Sequence, residues 1–87
     1  MKLLLCTKCD DVFRLDYSDR QCKCGQSWGY YLSDGLNASY GGPCIPLGFS
    51  NRSLLEAIQN QPEEGLGERF EAFIIPKNCP TMIRIGT

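Results

Sequence analysis

The sequence predicts an α+β fold: a small, β-rich single domain with one helix. Three observations point there. Most apolar residues fall in short runs of strand character, several alternating with polar residues. Only one stretch, about residues 51–60, repeats its apolar residues at helical spacing. Two tight cysteine pairs organise the first third of the chain. With 87 residues, a single compact domain spanning 1–87 is expected. A domain of this size buries only about 60–65% of the surface its unfolded chain exposes, so a cross-link or a metal is a common addition.

Element by element, residues 1–5 read as a short strand and Cys6 to Cys9 as a tight turn. Residues 12–17 place Phe13, Leu15 and Tyr17 on one face and predict a strand. Ser18-Asp19-Arg20 is a turn, and a second tight turn runs from Cys22 to Gly25. Residues 28–32 are aromatic-rich, which suits a strand. Asp34-Gly35 signals a hairpin, because both residues tolerate positive φ, with a return strand over 36–40. Gly41-Gly42-Pro43 breaks it. Residues 44–49 are apolar but interrupted by Pro46, which predicts an edge strand or an extended segment. Ser50 or Asn51 caps the helix, Leu54, Leu55 and Ile58 supply its apolar face with Ala57 beside them, and Asn60 and Pro62 end it. A loop over 61–67 leads to a strand over 69–75, a second loop over 76–80, and a last short strand over 82–85.

The cysteines carry the chemistry. Residues 3–5 are too short an apolar stretch for a signal sequence, and no stretch approaches the ~20 apolar residues of a membrane span. A cytoplasmic location is therefore expected. In a reducing compartment, clustered cysteines read as metal ligands before disulfides. The pattern is Cys6-Thr7-Lys8-Cys9, then Cys22-Lys23-Cys24-Gly25. Two such turns facing each other supply four thiolates, and a sulfur tetrahedron with bonds of about 2.3 Å is the closed structural site of zinc. The expected ligands are Cys6, Cys9, Cys22 and Cys24. Iron suits the same four thiolates and is the lesser alternative; free or disulfide-linked cysteines are the bland one. Gly25 supplies a left-handed residue where amides turn toward the sulfurs.

These residues resemble the zinc-ribbon or rubredoxin-like knuckle proteins. The resemblance covers about residues 1–32 and implies an N-terminal zinc ribbon, with an α+β part over 33–87. One departure is that the second pair has a one-residue spacer in place of the usual two. The whole chain is also similar to small uncharacterised proteins of bacteria and their phages that begin with a cysteine knuckle. Segments like Gly29-Tyr30-Tyr31, Gln61-Pro62-Glu63-Glu64-Gly65 and Ile75-Pro76-Lys77-Asn78-Cys79-Pro80-Thr81-Met82 recur in them. That resemblance implies no activity.

Other residues have a functional and a plainer reading. Trp28, Tyr30, Tyr31 and Tyr40 would stack on a base or a partner side chain, or simply pack. Ser50, Asn51, Arg52 and Ser53 open the helix, where free amides attract anions; capping needs the same residue types. The acidic segment 62–68 reads as a solvated loop, or as a contact for a basic partner. Cys44 and Cys79 would form a redox pair, offer a reactive thiol or serve as alternative metal ligands; the plainer reading is core packing, which Cys44 beside Ile45 favours more than Cys79 between Asn78 and Pro80.

The chain has no histidine, so the commonest general base is missing, and a closed four-cysteine site leaves no open position for a substrate. An enzyme is not expected. The first 28 residues carry five cations and four anions, and the remainder four cations and six anions; neither part is the basic patch that nucleic-acid affinity draws on. The reading is a non-catalytic zinc-binding interaction module for a protein or small ligand; the resemblance to phage and bacterial proteins implies a host factor or a nucleotide-like molecule that it binds or sequesters. Nucleic-acid recognition is the first alternative and a rubredoxin-like electron carrier the second. Short edge strands and exposed aromatics also suit a homo-oligomer.

Overall fold

Short apolar runs with polar turns between them favour pairing across the chain over long local elements, and strands dominate. The computed structural model describes residues 1–85. They form β1 (Lys2–Cys6), β2 (Val12–Arg14), β3 (Arg20–Gln21), β4 (Trp28–Tyr31), β5 (Ala38–Gly41), β6 (Cys44–Phe49), α1 (Asn51–Gln59), β7 (Ala72–Ile74) and β8 (Met82–Arg84). Two four-stranded sheets result, in the orders β2-β1-β6-β7 and β3-β4-β5-β8. All pairings are antiparallel except β5 with β8, which is parallel. The chain alternates between the sheets, so neither is built from one continuous stretch.

This corrects the α+β expectation. The chain is mostly β, and its helix of nine residues, none of them buried, is a connection between β6 and β7. Nor do residues 1–32 stand alone as a ribbon. β1 pairs with β6 over its whole length, while β3 and β4 belong to the other sheet. The physical reason is the core. Leu4, Phe13 and Leu15 cannot bury themselves against one another; they pack with Ala38, Tyr40, Ile75 and Met82 from later in the chain.

Other expectations shift for local reasons. Strand β2 stops at Arg14 because Leu15, only 1% exposed, turns into the core as the chain crosses to the second sheet. The crossing is fixed by Leu15 N donating to Lys2 O and Tyr31 N to Asp16 O. β3 was not expected, since Arg20 and Gln21 are both exposed and show no alternation. The return strand starts at Ala38 because the Asp34 carboxylate accepts the amides of Leu36 and Asn37, each at 2.9 Å, and holds the preceding turn.

Pro46 lies in a strand that is central, not at an edge. Its carbonyl accepts from Ile75 N, so its nitrogen faces β7 as well. The β6–β7 ladder ends at the Leu47–Ile74 pair, beside Pro46, and the missing donor interrupts nothing on the β1 side. That also explains why β7 stops at Ile74 and not at the expected residue 75; its start moves from 69 to Ala72 because β6 ends at Phe49, the partner of Ala72. Where the chain returns from β5 to β6, Gly42 has φ +93°, and a Cβ there would lie 2.0 Å from Gln26 O. Only glycine fits this approach to the second cysteine turn.

The helix forms as its sequence predicts. Ser50 caps it, accepting from Ser53 N at 3.3 Å, and Asn60 closes it.

Candidate metal centre

Cys6 ends β1 and Cys9 follows in the next turn; Cys22 and Cys24 lie in the turn between β3 and β4. One cysteine pair therefore belongs to each sheet. Each turn is closed by the same kind of backbone bonding. In the first, Cys6 N donates to Asp11 O and Asp10 N to Cys6 O; in the second, Cys22 N donates to Ser27 O and Gly25 N to Cys22 O. Each turn also ends on a left-handed residue, Asp10 at φ +62° and Gly25 at +77°. Asp10 occupies the place where glycine would be the ready choice, and short polar side chains tolerate that conformation best after glycine. The shortened spacer of the second pair costs nothing in convergence: its ring simply closes one residue earlier.

The four sulfurs of Cys6, Cys9, Cys22 and Cys24 all lie within 4.8 Å of one another. Cys22 Sγ is 3.4 Å and Cys6 Sγ 3.7 Å from Cys24 Sγ. Bonds of about 2.3 Å in a tetrahedron set neighbouring sulfurs about 3.8 Å apart, so the spacing fits a four-coordinate ion. Cys6 and Cys22 are buried, Cys9 is half-buried and Cys24 is exposed. The cluster is thus continuous with the apolar core on one side and open to solvent on the other.

Two residues not singled out from the sequence complete the surroundings. Asp11 Oδ2 accepts Lys23 N at 3.0 Å, which ties the first turn to the second without any metal. Ser27 is fully buried; its amide donates to Cys22 Sγ at 3.3 Å, while its hydroxyl lacks a well-formed hydrogen bond. That hydroxyl lies beside Cys6 and is the main influence lowering the Cys6 thiol below its usual range. A buried hydroxyl without a firm partner, next to sulfurs, suits a site where a thiolate is the acceptor. The only sequence signals were their positions, two residues after Cys9 and three after Cys24.

The sulfurs do not behave alike as free thiols. Burial pushes Cys22 up, but the Ser27 amide and the neighbouring thiols outweigh it and bring the group to about 6. The Gln26 amide draws Cys24 down, yet its thiol bonds to the Cys22 sulfur and is driven to about 12. Four thiolates at this spacing repel one another, and a divalent cation is the natural partner for them.

The two remaining cysteines are not part of this group of four. Cys44 is buried opposite Cys6 in the β1–β6 ladder, its Sγ 3.5 Å from Gly41 O, as expected for a core residue. Burial raises its thiol. Cys79 is half-buried beside Thr81, whose hydroxyl lies 3.4 Å away and is the first cause of its lowered thiol.

The aromatic residues do not share one surface. By the β4–β5 register, Tyr31 and Tyr40 point to the core side, Tyr40 only 3% exposed, and Trp28 and Tyr30 to the opposite face. Tyr31 accepts Lys2 N at 3.0 Å and packs on Tyr17 at 5.9 Å, while Arg84 stands over Tyr40. At the start of α1 the side chains are engaged within the chain. Ser50 caps, Asn51 Oδ1 accepts Met1 N at 2.8 Å, Arg52 pairs with Glu56 at 3.3 Å, and Ser53 Oγ accepts Glu71 N at 2.6 Å. No helix among the described residues is long and apolar enough to cross a membrane.

Comparison with family models, with characterised proteins and with solved structures finds no match for this chain.

Proposed function

We propose that the chain is a small, non-catalytic binding module whose two sheets are held together by a single zinc ion on Cys6, Cys9, Cys22 and Cys24. The observation that carries this reading is the meeting of two sulfurs from each sheet within 4.8 Å. Residues 10–11 and 25–26 are short polar connections with no buried residue; a divalent ion there joins what apolar packing leaves weak. Bound zinc supplies no redox chemistry and, with four protein ligands, no open position for substrate. With no histidine in the chain, the usual base for hydrolytic work is missing too. Activity is then recognition, and the metal's part is shape.

Zinc is favoured over iron because it needs no particular redox environment and takes thiolate tetrahedra readily. Elemental analysis and native mass spectrometry of gently isolated protein test the reading. One zinc per chain is expected, lost in Cys9→Ser and Cys24→Ser and kept in Cys44→Ala and Cys79→Ser. Metal-free native protein, or stoichiometric iron with visible colour, contradicts it.

A further inference from the structure

The helix α1 is amphipathic, with Leu54, Ala57 and Ile58 at helical spacing. In a finished fold such a face is covered, yet no residue of α1 is buried. The chain that follows does not cover it either. Residues 61–70 run alongside and leave a groove of about 490 Å³ between themselves and the helix. Leu54, Ala57, Ile58 and Phe70 line its apolar part, and Phe70 is steadied by an edge-on contact with Phe49 at 5.1 Å. Leu66 stands fully in solvent beside them. It is held there by two left-handed glycines, Gly65 at φ +97° and Gly67 at +103°, neither with anything within 4 Å of where a Cβ would be. A leucine carried outward on such a turn is apolar surface still to be buried.

The groove's charge says what covers it. Glu63, Glu64 and Glu68 line it, and no lysine or arginine does. Among the described residues, none of these three carboxylates has an ion-pair partner; the one ion pair is Arg52 with Glu56. A nucleic acid or an anionic membrane surface is repelled by this rim. We infer that the groove receives a basic amphipathic segment of a partner protein, with one or two large apolar side chains entering between α1 and Leu66 and flanking lysines or arginines meeting the carboxylates. A helix-in-groove contact of this kind presents its anchors a turn apart. A cavity this size has room for only a few side chains, so the complex is small and salt-sensitive. The inference extends the reading of the chain as a binding module, but does not depend on which metal it holds.

A library of short random peptides displayed on particles, selected against the metal-loaded protein, tests this. Enriched peptides should combine lysine or arginine with large apolar residues. Synthetic copies should bind about tenfold more weakly to Leu66→Ser and to a Glu63→Gln, Glu64→Gln, Glu68→Gln variant, the latter with a flattened salt dependence. Leu66 is fully exposed, so its replacement leaves the fold intact; metal content measured on each sample confirms that and judges the metal reading separately. Absence of enrichment, enriched peptides without basic residues, or equal binding to both variants overturns the inference. So does sedimentation showing that the protein fills the groove with a second copy of itself, disrupted by the same substitutions.

Discussion

Two regions of this molecule are built on opposite principles. Between Cys6 and Ser27 the chain is short of regular structure, yet it carries Cys6, Phe13, Leu15, Cys22 and Ser27 in the interior. From Asn51 to Glu71 it holds the one well-formed helix, and no residue there is buried. The first region has weak local preferences and strong long-range ties; the second has strong local preferences and weak ties. Regular secondary structure is thus a poor guide to where this protein's stability lies. The inter-sheet core holds the first region in place, whereas the helix is held by its cap and by a few hydrogen bonds at its start, Asn51 with Met1 and Ser53 with Glu71.

The largest effect that can sharpen this contrast is removal of the proposed metal. Structural zinc contributes on the order of 10–16 kcal/mol of apparent binding in finger peptides, more than a small core supplies. Because the ligands come from both sheets, a strong chelator or Cys22→Ser should cost the tertiary fold of the whole chain, seen as collapse of amide dispersion in NMR spectra. Retention of a dispersed spectrum in verified metal-free protein would break the comparison.

Next in size is the shared core. Leu4 is fully buried, so Leu4→Ala should cost about 2–5 kcal/mol in urea unfolding of the metal-loaded protein. A loss under about 0.5 kcal/mol would show that the sheets are not packed through it. The helix offers smaller effects. Ser50→Ala removes the acceptor for Ser53 N and should weaken the helix by about 1 kcal/mol. Hydrogen exchange should speed up over residues 51–59 and stay unchanged in β1 and β6. Smallest of all is Leu55→Ala: Leu55 is 60% exposed, so its stability change should stay within about 0.5 kcal/mol.

The same contrast explains what was legible in the sequence. The helix was, because its signals are local: Ser50 at the cap, apolar residues three and four apart, Asn60 and Pro62 at the end. The cysteine set was also legible, because paired spacing constrains how sulfurs converge, and the four are indeed brought together. Pairing partners were not. Nothing within residues 1–32 says that Leu3, Leu4 and Leu5 pair with Leu47, Pro46 and Ile45, so a self-contained ribbon was expected where strands of two different sheets occur. Pro46 misled for a related reason. Its missing donor matters only on the side it faces, and that side is fixed by the register with β7. Ser27 stayed invisible because a serine near cysteines has no signature until its burial is known.

The most direct test of the central claim is X-ray absorption at the metal edge of the isolated protein. The account predicts zinc with four sulfur neighbours at about 2.3 Å and no lighter ligand. A shell containing oxygen or nitrogen, fewer than four sulfurs, or a different metal would contradict it.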